Sequence, residues 1–228
     1  YALNNIFIDH WLYYVKTYLT LKLGALFWGK AGEFLSFNIP YKIENPILLG
    51  IIIFFSIDFL MYWFHYFFHR ISALWVIHIL HHSVKQLDWL SGTRSFWLDG
   101  IVATFFASIP LAIFEVSETG IAILSFWEMN VQFLIHTNFR YSLGFLESWL
   151  NNNKAHWWHH SKTNYLKYGQ NFGTYTLIWD RLFGTYYVEE RLPEELGIHS
   201  PKDYPEGIIL RFLYPFLKLK DAIFGKNM

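Results

Sequence analysis

Long apolar runs separated by short polar turns dominate the middle of the chain. After Pro46 the sequence reads ILLGIIIFFSIDFLMYWFHYFF, with Asp58 and His65 as its only acidic or imidazole side chains. At ~1.5 Å per residue, a helix of this length crosses the ~30 Å hydrocarbon core of a bilayer. The pattern therefore predicts a transmembrane helix over residues 46–69.

Two further apolar runs, residues 96–116 and 120–139, flank a short polar turn and predict a transmembrane hairpin. No Lys or Arg occurs between Arg94 and Arg140, whereas basic residues follow the other ends of the predicted helices. Because positive loops stay in the cytoplasm, we expect those ends to face it. Residues 70–95 and 140–228 are then a cytosolic cap.

The N-terminal segment, residues 1–45, permits two interpretations. Lys16, Lys22 and Lys30 interrupt an aromatic-rich stretch that either spans the membrane or lies at its interface. Both stay open. The whole chain, residues 1–228, is expected to be one membrane domain.

Composition supports a membrane setting and removes several chemistries. The 228 residues are 54% hydrophobic and 16% charged, too apolar for an ordinary soluble domain. The formal net charge is +0, so no nucleic-acid partner is expected. There is no cysteine, which excludes disulfides, thiolate-bound zinc and iron–sulfur clusters in this sequence. Any metal must bind histidine or carboxylate.

Nine of the eleven histidines fall in four places. They are His65 and His69 (HYFFH), His78, His81 and His82 (HILHH), His136 (HTN), and His156, His159 and His160 (HWWHH). Positions i, i+3 and i+4 share one helix face, which is the spacing of metal ligands. Since a first-row ion takes at most six ligands, nine imidazoles indicate two metals. Iron is favoured, and zinc remains the alternative.

The order HYFFH, HILHH, HWWHH resembles the fatty acid hydroxylase and sterol desaturase superfamily. The surrounding DFLMYW, LHHS, NFG and IWDRLFGTYY agree, and the likeness covers about residues 55–188. The resemblance implies a cytosol-facing di-iron membrane oxidase. It implies a ligand role for the histidines of the three clusters, and His136 in HTN is similar to a further family histidine.

Other polar residues receive supporting roles. Asp58 lies two turns before His65, ~10 Å along the helix, and is expected to accept the N–H of a ligating imidazole from another helix. A polar contact between helices is the alternative. Asn171 and Asp180 stand in family contexts, NFG and WDR, where they are expected to orient histidines or cap the site.

These features predict an all-α, multi-pass transmembrane helix bundle whose cytosolic, histidine-rich helical cap holds a dimetal site. The expected activity is hydroxylation of a lipid C–H bond by two irons and O2, with desaturation or a zinc-dependent membrane hydrolase or isomerase as alternatives. No HPGG haem module and no dinucleotide glycine fingerprint is present. Electrons are therefore expected from a separate cytochrome, ferredoxin or reduced pterin. No residue identifies the lipid or its binding site.

Overall fold

The computed structural model describes Tyr18 and residues 43–163, 165–166, 169–198, 204–205 and 207–224. Most of the N-terminal segment, residues 1–45, lies outside the described residues. Within the described part the secondary structure is helical, and isolated bridges at Leu150–Thr176 and Ser161–Leu196 are its only β pairing. The all-α prediction is confirmed for these residues.

Seven α-helices and two short 3₁₀ helices follow one another along the described chain. The α-helices are α1 Pro46–Arg70, α2 Ser72–His82, α3 Trp97–Ile113, α4 Glu118–Ile135, α5 Asn153–His159, α6 Ile178–Phe183 and α7 Ile208–Phe224. The 3₁₀ helices are Trp89–Thr93 and Gly144–Ser148.

Helix α1 begins at a strong start signal and matches the predicted span. The Asn45 side chain accepts hydrogen bonds from Ile47 N (2.9 Å) and Leu48 N (3.1 Å), and Pro46 occupies the first helical position. Its 25 residues extend ~37 Å and are apolar enough to cross a membrane. A stripe of exposed apolar side chains at i+4 spacing winds around the helix at Ile47, Ile51, Phe55 and Phe59, and Phe67 is exposed near its end.

The two segments of the predicted hairpin form two helices, each shorter than the predicted span. Helices α3 and α4 contain 17 and 18 residues, ~26 and ~27 Å. Among the described residues, α1 is the one helix that meets both the length and the apolarity of a membrane span. The multi-pass topology therefore stays a prediction.

The apolar core lies between α1, α3 and α4. Ile53, Ile57, Met61 and Phe64 of α1 form one buried cluster, against which side chains of α3 and α4 pack. On the other side of α2, Val76 and Ile79 pack on Tyr204 and Tyr214. These contacts fix α2 beside the end of α1, where the histidine clusters meet.

Candidate metal centre

The nine clustered histidines converge in two adjacent groups. Within each group the candidate ligand atoms all lie within 4.8 Å of one another. The five-histidine group contains His65, His69, His78, His82 and His159, and the four-histidine group contains His81, His136, His156 and His160.

Each H-x-x-H-H motif contributes to both groups. In the second cluster, His78 and His82 belong to the five-histidine group while His81 belongs to the other. In the last cluster, His156 and His160 belong to the four-histidine group while His159 belongs to the five-histidine group. In each motif the residues at i and i+4 therefore share a group, and the residue at i+3 belongs to the other group. This interlocking explains why two short motifs can furnish two sites.

Backbone carbonyls fix the protonation of four of these imidazoles. His65 Nδ1 lies 3.0 Å from Phe172 O, and His81 Nδ1 lies 3.1 Å from Arg94 O. His136 Nδ1 lies 2.7 Å from Gln132 O, and His159 Nδ1 lies 2.9 Å from Gln170 O. A carbonyl only accepts, so Nδ1 must carry the hydrogen. The Nε2 atom of each ring then carries a lone pair, as a metal ligand requires.

The Nε2 atoms of the nine histidines face one another. Those of His65, His69 and His78 are buried without a hydrogen bond. The Nε2 atoms of the other six histidines lie 2.8–3.4 Å from another Nε2. His81 and His136 both carry the hydrogen on Nδ1, so their Nε2 lone pairs lie 3.4 Å apart and are placed to bind one cation.

The donor spacing fits a first-row metal. Two nitrogens bound at ~2.1 Å and at right angles to each other are separated by ~3.0 Å, which lies within the separations found here. The donor set is nitrogen only, with no cysteine in the chain. The residues present therefore fit two metal ions, and ligation itself stays a prediction.

Five of the histidines outside α1 have lowered pKa values, which favour the neutral ring. Burial, and next the neighbouring imidazoles, lower the pKa of His81, His82 and His156 well below the usual value. Burial also lowers the pKa of His159 and His160, with other imidazoles adding to it. Neutral imidazoles are the form that binds metal at physiological pH.

Sequence reasoning missed Asp99. This buried carboxylate accepts a hydrogen bond from His78 Nδ1 at 2.8 Å. A carboxylate in this position fixes the ring orientation and raises the basicity of the ligand nitrogen. The signal available in the sequence was an isolated acid close to the start of an apolar run.

Asp58 has partners other than the expected imidazole. Its described hydrogen bonds come from Tyr175 N (2.9 Å), Thr176 Oγ1 (2.6 Å), Thr176 N (3.3 Å) and Trp179 Nε1 (3.0 Å). The carboxylate thus fastens the segment before α6 to the middle of α1. The sequence could not reveal this, because the partners, two backbone N–H groups, a hydroxyl and a ring N–H, lie more than 100 residues away.

Asp180 supports the histidine centre indirectly, through backbone atoms of Phe172 and Gly173. Its carboxylate accepts from Phe172 N and Gly173 N, both at 2.7 Å, and Phe172 O holds His65. A Cβ at Gly173 would lie 2.0 Å from Thr176 O, so only glycine fits. Burial raises the pKa of Asp180 to about 7.

Asn171 supports the same loop. It adopts φ 56°, a left-handed conformation that asparagine tolerates. Its Nδ2 donates to Ala155 O (2.9 Å) and Tyr187 O (2.6 Å). Residues 170–173 therefore connect α5, α6 and α1 around the histidines.

A cavity of about 130 Å³ adjoins both groups on the side of α3 and α4. His65, His78 and His156 line one wall, and Glu128 and Gln132 of α4 line another. The lining also includes Met61, Phe64, Ala103 and Ile135. The cavity thus joins the histidine centre to the apolar helices.

Comparison with known proteins agrees with this site. The fatty acid hydroxylase family model matches residues 50–185. Human alkylglycerol monooxygenase is 33% identical over 163 residues, covering 72% of this chain and 36% of that protein. The ornithine lipid hydroxylase OlsE of Rhizobium tropici is 29% identical over 183 residues, covering 79% and 54% respectively. No solved structure matches the chain.

Two interlocked histidine groups beside a membrane-length helix place this chain in the class of helical proteins with a candidate histidine-rich metal centre. Within that class, the chain belongs to the fatty acid hydroxylase family. It spans about a third to a half of the length of the curated relatives named above.

Proposed function

We propose that the protein is a multi-pass membrane enzyme that hydroxylates a C–H bond of a lipid with two iron ions, O2 and external electrons. The observation that carries this proposal is the assembly of nine imidazoles into two interlocked groups next to a cavity between α1, α3 and α4. The names of the relatives, a monooxygenase and a lipid hydroxylase, support the reaction class.

Two irons held by the nine histidines would supply O2 activation and hydrogen abstraction from an unactivated carbon. In the overall reaction one oxygen atom enters the C–H bond and the other leaves as water, with two electrons and two protons consumed. A cytochrome, ferredoxin or reduced pterin would deliver the electrons. Desaturation by the same site, which releases two waters from one O2, is the alternative outcome.

The chain's own residues position the reaction. Carbonyls of Arg94, Gln170 and Phe172 hold three rings with Nε2 directed at the centre. The apolar part of the cavity wall comes from side chains of α1, α3 and α4 and suits a methylene chain. We therefore infer that the lipid enters sideways from the bilayer, which spares it passage through water.

The orientation follows from charge. The basic residues flank the ends of α1 and of the α3–α4 hairpin that carry the histidines. By the positive-inside rule these ends, and the active site, face the cytoplasm. The relatives' names point to an alkylglycerol or an ornithine lipid as first substrates to try.

The test is lipid-dependent oxygen uptake by anaerobically purified, iron-loaded protein, with products followed by mass spectrometry. A product heavier by one oxygen atom, labelled by ¹⁸O2, supports hydroxylation. A product lighter by two hydrogens supports desaturation. Turnover by zinc-loaded protein without oxygen uptake would instead establish a zinc hydrolase or isomerase.

A further inference from the structure

Five exposed apolar residues form a patch on the part of the chain predicted to be a cytosolic cap. They are Phe145, Leu146, Trp149, Leu182 and Phe183, with exposed fractions of 82%, 38%, 49%, 66% and 41%. They lie on or next to the Gly144–Ser148 3₁₀ helix and α6. We call them the cap patch. Contiguous apolar surface of this kind marks an interaction site.

The two segments that carry the cap patch are joined. Leu177 N donates to Trp149 O at 2.7 Å, and Arg181 Nε donates to Ser148 O at 2.7 Å. The Arg181 guanidinium lies over the rings of Tyr186 (3.9 Å) and Trp149 (5.2 Å). The patch is therefore one surface, and aromatic faces cover its exposed cation.

The cap patch lies beside the membrane-length helix rather than beyond its end. Trp179 donates to Asp58 at 3.0 Å and its ring centroid is 4.9 Å from that of Phe59. Phe183 is 4.9 Å from Trp63, centroid to centroid. Asp58 is ~18 Å along α1 from Arg70. The segment from Thr176 to Phe183 thus runs alongside the middle of α1.

The length of α1 fixes how deep this contact is. The helix extends ~37 Å against a hydrocarbon core of ~30 Å, so even when its start at Pro46 marks one boundary, the other falls near residue 66. Phe59 then lies ~10 Å below the nearer boundary and Trp63 ~4 Å below it, for a helix along the membrane normal. Helix α6 contacts Phe59 through Trp179 and Trp63 through Phe183, so it lies at the depth of the acyl chains.

We propose that the cap patch is immersed in the cytoplasmic leaflet, with lipid acyl chains covering it. The patch continues the exposed apolar stripe of α1 through the contacts of Phe59 and Trp63, and lipid is the occupant that covers both. The backbone at this depth is satisfied by protein, as Asp58 and Asp180 accept from Tyr175 N, Thr176 N, Phe172 N and Gly173 N. The inference rests on the membrane placement of α1 in the proposed function.

The absence of native cysteine makes the test direct. Leu182→Cys and Phe145→Cys would be spin-labelled in the full chain, in vesicles of phosphatidylethanolamine and phosphatidylglycerol. Collision rates with O2, which concentrates in lipid, and with a water-soluble nickel chelate report the depth of each label. Phe55→Cys on the exposed stripe of α1 serves as the lipid reference, and Glu190→Cys, fully exposed on the cap, as the water reference.

We expect the labels at 182 and 145 to resemble the label at 55, with O2 collisions dominant, and the label at 190 to show the opposite. Nickel-dominated collisions at 182 and 145, with 55 still in lipid, would overturn the inference and assign the patch to water or a protein partner. Nickel-dominated collisions at 55 as well would reject the membrane placement itself. Unchanged metal content in each labelled variant shows that the fold is retained.

Discussion

The five-histidine and four-histidine groups are built differently, although their ligands come from overlapping motifs. The five-histidine group takes His65 and His69 from the membrane-length helix α1 and has the Asp99 carboxylate on His78. The four-histidine group takes its ligands from α2, α5 and the residues just beyond α4 and α5, and its described Nδ1 hydrogen bonds end on carbonyls.

We therefore expect the two proposed metal positions to differ. One is anchored to a long helix and supported by a negative charge, and the other depends on how α2, α4 and α5 pack together. His81 and His159 couple the two groups, because each belongs to a different group from the other two histidines of its motif. Changes at these positions therefore separate the two groups most clearly.

The largest effect is expected from the crossing ligands. His81→Ala removes a ligand of the four-histidine group, and His159→Ala removes one of the five-histidine group. Each variant should lose hydroxylation. His81→Ala leaves three ligands in its group and should retain about one metal instead of two, whereas His159→Ala leaves four and should weaken metal binding by the five-histidine group. Metal analysis after gel filtration measures this loss, with His10→Ala as a control outside the nine. Two metals bound as tightly as in the unsubstituted protein, in either variant, would refute the grouping.

A smaller, selective effect is expected at Asp99. Asp99→Asn keeps the shape of the side chain but replaces the carboxylate that is bonded to His78 with a neutral amide. The five-histidine group should then bind metal ~10–100-fold more weakly. Competitive titration of metal-free protein with a chromophoric chelator resolves the two affinities. Ser108→Ala, on the same helix α3 but bonded only to Thr104 O and Phe105 O, is the control. Equal weakening of both steps would contradict a local role.

The next effect concerns the link between α1 and the cap. Asp58→Ala leaves the N–H groups of Tyr175, Thr176 and Trp179 unpaired and should destabilise the protein by about 3 kcal/mol. This segment follows the loop that holds His65 and His159, so metal loss should begin in the five-histidine group. Denaturant unfolding in detergent measures the change, with Ser56→Ala on α1 as the control. A stability equal to that of the control would reject the link.

The smallest effect near neutral pH is expected from protonation of the metal-free protein. Burial lowers the pKa of His81, His82, His156, His159 and His160. Their contribution to stability is therefore present above the ordinary value of ~6.5 and is lost as pH falls below it, because the unfolded chain takes up protons first.

Thermal unfolding of metal-free protein between pH 8 and pH 5 tests this sign. Bound metal competes with protons, so metal loading should move the loss of stability to lower pH. Stability that rises as pH falls through this range would contradict buried, neutral imidazoles.

Much of this architecture could be predicted from the sequence. A run of more than twenty apolar residues specifies α1 almost to its ends, since length and composition alone decide it. Histidines at i, i+3 and i+4 predict a shared face, and the structure gathers all nine. The division into five and four was not predictable, because it depends on how the rings of α2 and α5 face each other.

The supporting groups were harder to predict. Carbonyls of Arg94, Gln132, Gln170 and Phe172 orient the rings, and backbone atoms leave no signature in side-chain chemistry. Asp99 was overlooked within an apolar run. The positive-inside rule predicted a cytosolic cap over residues 140–228, but it could not reveal the long-range contacts with Phe59 and Trp63 that bring α6 alongside α1.

The central claim is that nine imidazoles hold two metal ions in one buried centre. Iron determination combined with Mössbauer spectroscopy of anaerobically reconstituted ⁵⁷Fe protein tests it most directly. The account predicts two ferrous ions per chain with two distinct, nitrogen-rich environments, one of which changes selectively in Asp99→Asn. A single iron, or iron that remains fully bound after substitution of both His81 and His159, would contradict it.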